Sequence, residues 1–159
     1  MTYRVLFVCL GNICRSPMAE AVLRHQLREA GLGDRVEVGS AGTGDWHIGR
    51  PPHEGTRKLL KRHGISYEGM TASQLRREDG DRYDLIVAMD GRNERDIRAV
   101  IGPGARAEVI RFLTLVPELG VDDVPDPYYT GNFEEVYEMV REGCSRLVKR
   151  IESRLAGGE

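Results

Sequence analysis

The stretch RVLFVCLGNICRSPMAEAVLR, residues 4–24, decides how this chain is read. Its first part, Arg4 to Cys9, is an apolar run rich in β-branched residues, as a strand buried on both faces of a parallel sheet requires. From Pro17 the pattern changes to helical spacing, with Ala19, Val22, Leu23, Leu27 and Ala30 on one side. Ser16 has the chemistry of an N-cap, Pro17 suits the first helical position and Glu20 the first turn. A strand therefore passes into a helix through one tight loop, Cys9 to Ser16.

That loop begins with a thiol, holds Gly11 and Asn12, which tolerate unusual backbone angles, and ends with the guanidinium of Arg15 at a helix N-terminus. Such a turn aims successive backbone N–H groups into one concavity where the helix dipole adds positive potential, so the expected ligand is an oxyanion. A cysteine at its mouth, beside those amides and Arg15, is expected as a thiolate and a nucleophile. The plainer alternative is a generic anion-binding turn with a buried cysteine.

At 159 residues the chain has room for one well-filled core, so a single domain over residues 1–159 is expected. With 40% hydrophobic and 30% charged residues, the composition is neither that of a disordered chain nor that of a membrane span. No basic and apolar leader precedes the first strand, and three cysteines without a disulfide-framework spacing fit a reducing compartment. A cytoplasmic protein with no membrane partner is expected. A net charge of −2, with 23 basic and 25 acidic residues interspersed, argues against nucleic-acid binding.

Beyond the first helix, Arg35 to Gly42 reads as a second strand entering a glycine-rich loop, TGDWHIGRPP. A helix from about His53 to His63 stops at Gly64 after two cations. Tyr83 to Asp90 is a third strand, Asn93 to Ile101 a helix and Ala107 to Leu113 a fourth strand, and a long amphipathic helix starts at Phe133. Before that helix lies a loop of about twenty residues carrying Pro117, Pro125 and Pro127, and loops of such length tend to be functional. The alternation implies an α/β fold, a four-stranded parallel sheet with helices on both faces. Ligands of such sheets bind beyond the carboxyl ends of the strands, where Cys9, Ser40, Asp90 and the loop after Leu113 can converge.

For a phosphate monoester, Cys9 attacks phosphorus in line to give a phosphocysteine that water later hydrolyses. Arg15 offers a planar two-pronged donor to the equatorial oxygens, loop amides supply the rest, and the chemistry requires no metal ion or cofactor. The leaving group needs a proton, and Asp126, between Pro125 and Pro127 and before Tyr128 and Tyr129, is the candidate general acid and base. The residues alone leave equally open that Asp-Pro makes a turn. Trp46 reads as packing or as a pocket wall, and Cys14 as filler behind the loop or as a redox partner of Cys9. Cys144 reads as core. His63 reads as a helix stop or as a residue orienting Asn12. His25, His47 and His53 have no ligand-like spacing.

The string VCLGNICRSPMAE, with its CxxxxxRS spacing from Cys9 to Ser16, resembles the low-molecular-weight protein tyrosine phosphatase family. SAGTGDWHIGRPP and DPYY extend the likeness over nearly the whole chain, from Val5 to Val148. The resemblance implies a flavodoxin-like, three-layer α/β/α fold and a metal-independent tyrosine phosphatase acting through Cys9, Arg15 and Asp126. It implies that Leu10, Gly11, Asn12, Ile13 and Cys14 surround the phosphate, that Asn12 and Ser40 hold this loop, and that Ser16 assists the nucleophile. Trp46, Tyr128 and Tyr129 then wall a slot in which the ring of phosphotyrosine stacks. Ile13 fits the tyrosine-directed members, whereas similar arginine phosphatases carry threonine there. The resemblance also favours a reversible disulfide between Cys9 and Cys14.

The implied partners are phosphotyrosine proteins or peptides, with inorganic phosphate or other oxyanions as inhibitors, and the expected state is a monomer or weak dimer. Where many relatives have a GHRARQ-like stretch, this chain has Gly69 to Gln74, GMTASQ, which counts against a carried-over polar network behind the loop. A similar loop occurs in thiol-linked arsenate reductases, but those need further redox cysteines near residues 80–92, where DGDRYDLIVAMDG has none. A phosphate-binding module without catalysis would need neither the thiolate nor the acid.

Overall fold

A computed structural model describes residues 2–157. Its strands β1 (Tyr3–Cys9), β2 (Val36–Gly42), β3 (Leu85–Ala88) and β4 (Glu108–Arg111) pair in the order β2-β1-β3-β4, every pair parallel. The helices are α1 (Arg15–Glu29), α2 (Glu54–Arg62), α3 (Asp79–Arg82), α4 (Gly91–Ile101), α5 (Pro127–Thr130) and α6 (Phe133–Ala156). Among the described residues no helix is long and apolar enough to cross a membrane.

Strand β1 is apolar on both sides because it is covered on both sides. Its alternating side chains serve two cores: Val5, Phe7 and Cys9 join residues of α1 and α6, while Leu6 and Val8 join Ile97 and Ile101 of α4. This is the expected three-layer α/β/α arrangement. Val5, Phe7 and Val8 are fully buried, and each such side chain contributes roughly 1.5–3 kcal/mol relative to an exposed one. Phe7 meets Phe112 edge to face, with ring centroids 5.9 Å apart.

Several boundaries differ from the sequence reading for local reasons. Ser16 is not an N-cap: α1 starts at Arg15 with Cys14 in the cap position, and the Ser16 hydroxyl is turned to Cys9. Glu20 lies beyond the first turn, which holds no acidic residue. The third strand stops at Ala88 because Asp90 caps α4, its carboxylate accepting from Asn93 N at 2.7 Å. The fourth stops at Arg111, where Phe112–Leu115 turns into a 3₁₀ helix.

The long loop is shorter than expected, since it contains a 3₁₀ turn at Pro117–Leu119 and the whole of α5. Pro127 occupies the first turn of α5 and Asp126 caps it. The sequence reading did not place α3, a polar DGDR turn without apolar periodicity.

Candidate active site

The loop from Cys9 to Arg15 leaves β1 at the carboxyl end of the sheet, where the strand order reverses between β1 and β3. Asn12 carries a positive φ of 56°, in the left-handed region that L residues with a Cβ rarely occupy. Asparagine tolerates it because its short polar side chain is held by hydrogen bonds. Oδ1 accepts from Ser73 N at 2.9 Å, and Nδ2 donates to Ser16 Oγ at 2.8 Å and Ser40 Oγ at 2.9 Å.

Gly42 lets the end of β2 press beneath the loop; a Cβ there would lie 2.9 Å from Leu10 O and 3.2 Å from Asn12 Cβ. The carbonyls of Cys9, Leu10 and Ile13 are tied away from the loop centre by the N–H groups of Thr43, Gly44 and His53, at 3.0, 2.9 and 2.7 Å.

At the floor, the buried Cys9 Sγ lies 3.0 Å from Ser16 Oγ and accepts from Asn12 N at 3.3 Å. Ser16 Oγ, which accepts from Asn12 Nδ2 at 2.8 Å, thus faces the sulfur with a proton available to donate. Arg15 is 3% exposed. Its Nη1 donates to Asp90 Oδ2 at 2.6 Å and to Val124 O at 3.0 Å, and its Nη2 to Asp126 Oδ2 at 3.3 Å. Burial works against its charge, but Cys9, Asp90 and Asp126 outweigh burial and raise its pKa. The Arg15 Nε is buried without a partner, an orphaned donor at the end of the loop. Asp126 accepts from Tyr128 N at 3.1 Å through Oδ1.

Above the sulfur opens a cavity of about 320 Å³. Cys9, Leu10, Gly11, Ile13 and Cys14 form its base, and Trp46, His47, Asp126, Tyr128 and Tyr129 its walls. Trp46 is 65% exposed and lies over Gly44, where any Cβ would meet its ring at 2.0 Å, so it is not a core residue. Tyr128 and Tyr129 stand edge to face at 5.1 Å. His53 supports Tyr128 at 5.8 Å and stacks on Phe133 at 5.3 Å.

Cys14 is a free thiol packed beside Ile13 and Ala72; burial first, then the neighbouring Cys9, pushes it up to about 12. Cys144 lies in the core, its Sγ 3.7 Å from Ala19 O, and burial pushes it up as well. His63 stacks on Tyr137 at 4.1 Å and lies 3.7 Å from Glu134, while the Asn12 side chain bonds to Ser16, Ser40 and Ser73 instead.

A polar network stands behind the loop, built without a histidine or arginine from the GMTASQ stretch. Ser40 Oγ donates to Glu20 Oε1 at 2.6 Å, and Glu20 pairs with Arg24, which also donates to Val38 O at 2.9 Å. Sequence reasoning missed Glu20 and Arg24, the contact of Asp90 with Arg15, and His47. The i, i+4, i+8 stripe of Ser16, Glu20 and Arg24 on α1 was the available signal for the first two.

Residues 4–156 match the low molecular weight phosphotyrosine protein phosphatase family. The chain is 50% identical over 148 residues to the low molecular weight protein-tyrosine-phosphatase YfkJ of Bacillus subtilis, covering 93% of this chain and 95% of the relative. It is 48% identical over 147 residues to PtpA of Staphylococcus epidermidis, covering 92% of each. The crystal structure of YfkJ superposes with a TM-score of 0.94 at 48% identity over 97% of each chain. That of a Drosophila arginine phosphatase gives a TM-score of 0.85 at 31% identity, over 92% of this chain and 96% of the other.

Proposed function

This chain belongs to the low molecular weight phosphotyrosine protein phosphatase family, and on that premise we propose that it hydrolyses phosphotyrosine in proteins or peptides, and small aryl phosphates, through a phosphocysteine on Cys9. The observation that carries the reading is the meeting of three groups at one cavity: Cys9 and Asp126 both line it, the Cys9 sulfur 3.0 Å from the Ser16 hydroxyl, and the buried Arg15 guanidinium lies 3.3 Å from Asp126.

The incoming phosphate takes the Arg15 fork, including the orphaned Nε, and so displaces Asp126 from its resting pair. The Cys9 thiolate attacks phosphorus, an S–P bond forms, and the P–O bond to the tyrosyl oxygen breaks as Asp126 delivers a proton to that oxygen. In the second step Asp126 accepts a proton from water as the water oxygen attacks phosphorus. The S–P bond breaks and inorganic phosphate leaves with the thiolate restored. Arg15 and the loop amides hold the equatorial oxygens throughout.

Asn12 and Ser40 keep the loop in shape, Ser16 stabilises the thiolate, and Leu10, Gly11, Ile13 and Cys14 line the phosphate seat. Trp46, Tyr128 and Tyr129 flank the substrate ring, whose length brings its phosphate to a sulfur at the cavity floor. The same seat accepts inorganic phosphate and other oxyanions as competitive inhibitors. Residues 1–159 act as a single domain, in the cytoplasm, as a monomer or weak dimer. Cys14, beside Cys9, forms a reversible disulfide with an oxidised Cys9 and guards it from further oxidation.

The test is hydrolysis of phosphotyrosine, phosphoarginine and phosphoserine peptides in EDTA, with Cys9→Ser as the control. Release from phosphotyrosine alone, lost in the variant, is the expected result. Release from phosphoarginine with phosphotyrosine left intact would move this chain's substrate to the class named for the Drosophila neighbour.

A further inference from the structure

We propose that Glu20 and Arg24 are positioning residues that orient, from the far side of the phosphate loop, the hydroxyl facing the Cys9 sulfur. The proposal rests on the reading of Cys9 as the nucleophile.

One fixed point orients the Asn12 amide, and the reading of Cys9 as a thiolate nucleophile orients the serine beside it. Ser73 N donates to Asn12 Oδ1 at 2.9 Å, which settles which end of that amide is oxygen. Asn12 Nδ2 must then spend its two hydrogens on Ser16 and Ser40, at 2.8 and 2.9 Å. Each serine, having accepted, has one proton left to give. Ser16 gives it to Cys9 Sγ at 3.0 Å and Ser40 to Glu20 Oε1 at 2.6 Å. Glu20 is the acceptor that ends the chain.

The Glu20 side chain is only 12% exposed, so its charge needs a partner. Arg24, one turn on along α1, supplies it. Arg24 also donates to Val38 O at 2.9 Å, two residues before Ser40 on β2, so one guanidinium fixes both the carboxylate and the strand carrying the next link. Arg24 is itself 38% exposed and lies outside the catalytic cavity. Without it, the Glu20 carboxylate would lose the partner that holds it against Ser40. The Ser40 hydroxyl would then turn, Asn12 would lose an acceptor at its left-handed position, and the Ser16 proton would no longer be held on the sulfur.

Three variants test this: Arg24→Ala, Arg24→Lys and Glu20→Gln, the last isosteric, so that it keeps the packing of α1. Two readouts are compared with the parent: kcat and KM for p-nitrophenyl phosphate, and the rate of Cys9 alkylation by iodoacetamide in mildly acidic buffer, which needs no turnover. Loss of a hydrogen bond to a charged sulfur predicts about a tenfold fall in kcat and in alkylation rate for Arg24→Ala and Glu20→Gln, with KM within about twofold. Arg24→Lys, which keeps a cation beside Glu20, recovers at least half the parent alkylation rate. Parent-like kcat and alkylation in both Arg24→Ala and Glu20→Gln would overturn the proposal, as would the absence of any recovery with lysine. A parent protein that is alkylated at Cys9 but hydrolyses no phosphate ester would instead defeat the phosphatase reading, and the alkylation comparison would still decide the role of Glu20 and Arg24.

Discussion

Replacing Asp90 with asparagine separates two duties that one carboxylate performs. Its Oδ1 accepts from Asn93 N at 2.7 Å and caps α4, and its Oδ2 accepts from Arg15 Nη1 at 2.6 Å. Asparagine retains a single oxygen, which stays on Asn93 because asparagine caps a helix as well as aspartate does. The other position then offers an NH₂ to a guanidinium. Arg15, 3% exposed, keeps only Val124 O and the Asp126 carboxylate, the group on which the proposed proton transfer depends.

A hydrogen bond to a charged group contributes about 1.5–3 kcal/mol. At about 1.4 kcal/mol per decade, kcat/KM for an aryl phosphate should fall by about ten- to a hundredfold. Inhibition by inorganic phosphate should weaken in parallel, since the proposed phosphate seat uses the same guanidinium. Steady-state kinetics with p-nitrophenyl phosphate measures both, and circular dichroism checks that α4 survives. A folded Asp90→Asn protein within twofold of the parent in kcat/KM would refute the claim that Asp90 holds Arg15 in its working position.

Asp126→Ala should slow esters of poor leaving groups far more than p-nitrophenyl phosphate, whose phenolate departs without a proton; equal losses across a series of phenols would remove Asp126 from the acid role. Brief treatment of the folded protein with iodoacetamide at neutral pH should modify Cys9 and spare Cys14 and Cys144, since burial raises both of those thiols; mass spectrometry of the peptides reads the outcome, and early labelling of Cys14 would contradict it. Gly143→Ala should destabilise the fold although alanine favours helices by about 1 kcal/mol, because the new Cβ would lie 2.3 Å from Cζ of the fully buried Phe112 ring. Overpacking of that kind costs about 1–3 kcal/mol, a fall in Tm of about 2–12 °C at this chain length, and an unchanged or higher Tm would show that the Phe112 ring moves aside freely.

Strand β1, its loop and α1 were legible because their signals are local. A buried parallel strand needs an unbroken apolar run, and the change to helical spacing at Pro17 is visible within one window. The start of α1 was misjudged at Ser16 for an equally physical reason: an N-cap serine and a serine facing a sulfur look alike until the partner is known. Asp126 illustrates the same limit from the other side. The residues alone left it as a turn or an acid, and in the structure it caps α5 through one oxygen while the other meets Arg15, so the two readings are not exclusive.

What the sequence determined by itself was the α/β class, the parallel sheet and the loop at its carboxyl edge, all of which follow from periodicity and residue type along a continuous stretch. What only the tertiary structure decided was which distant groups meet that loop. Asp90 reaches Arg15 across 75 positions, Asp126 reaches it across 111, and Ser40 closes on Asn12 across 28. Such contacts depend on strand order and on the length of each crossover, and no window of neighbouring residues records either. The same holds for the network behind the loop, where Glu20 and Arg24 of α1 meet Ser40 of β2.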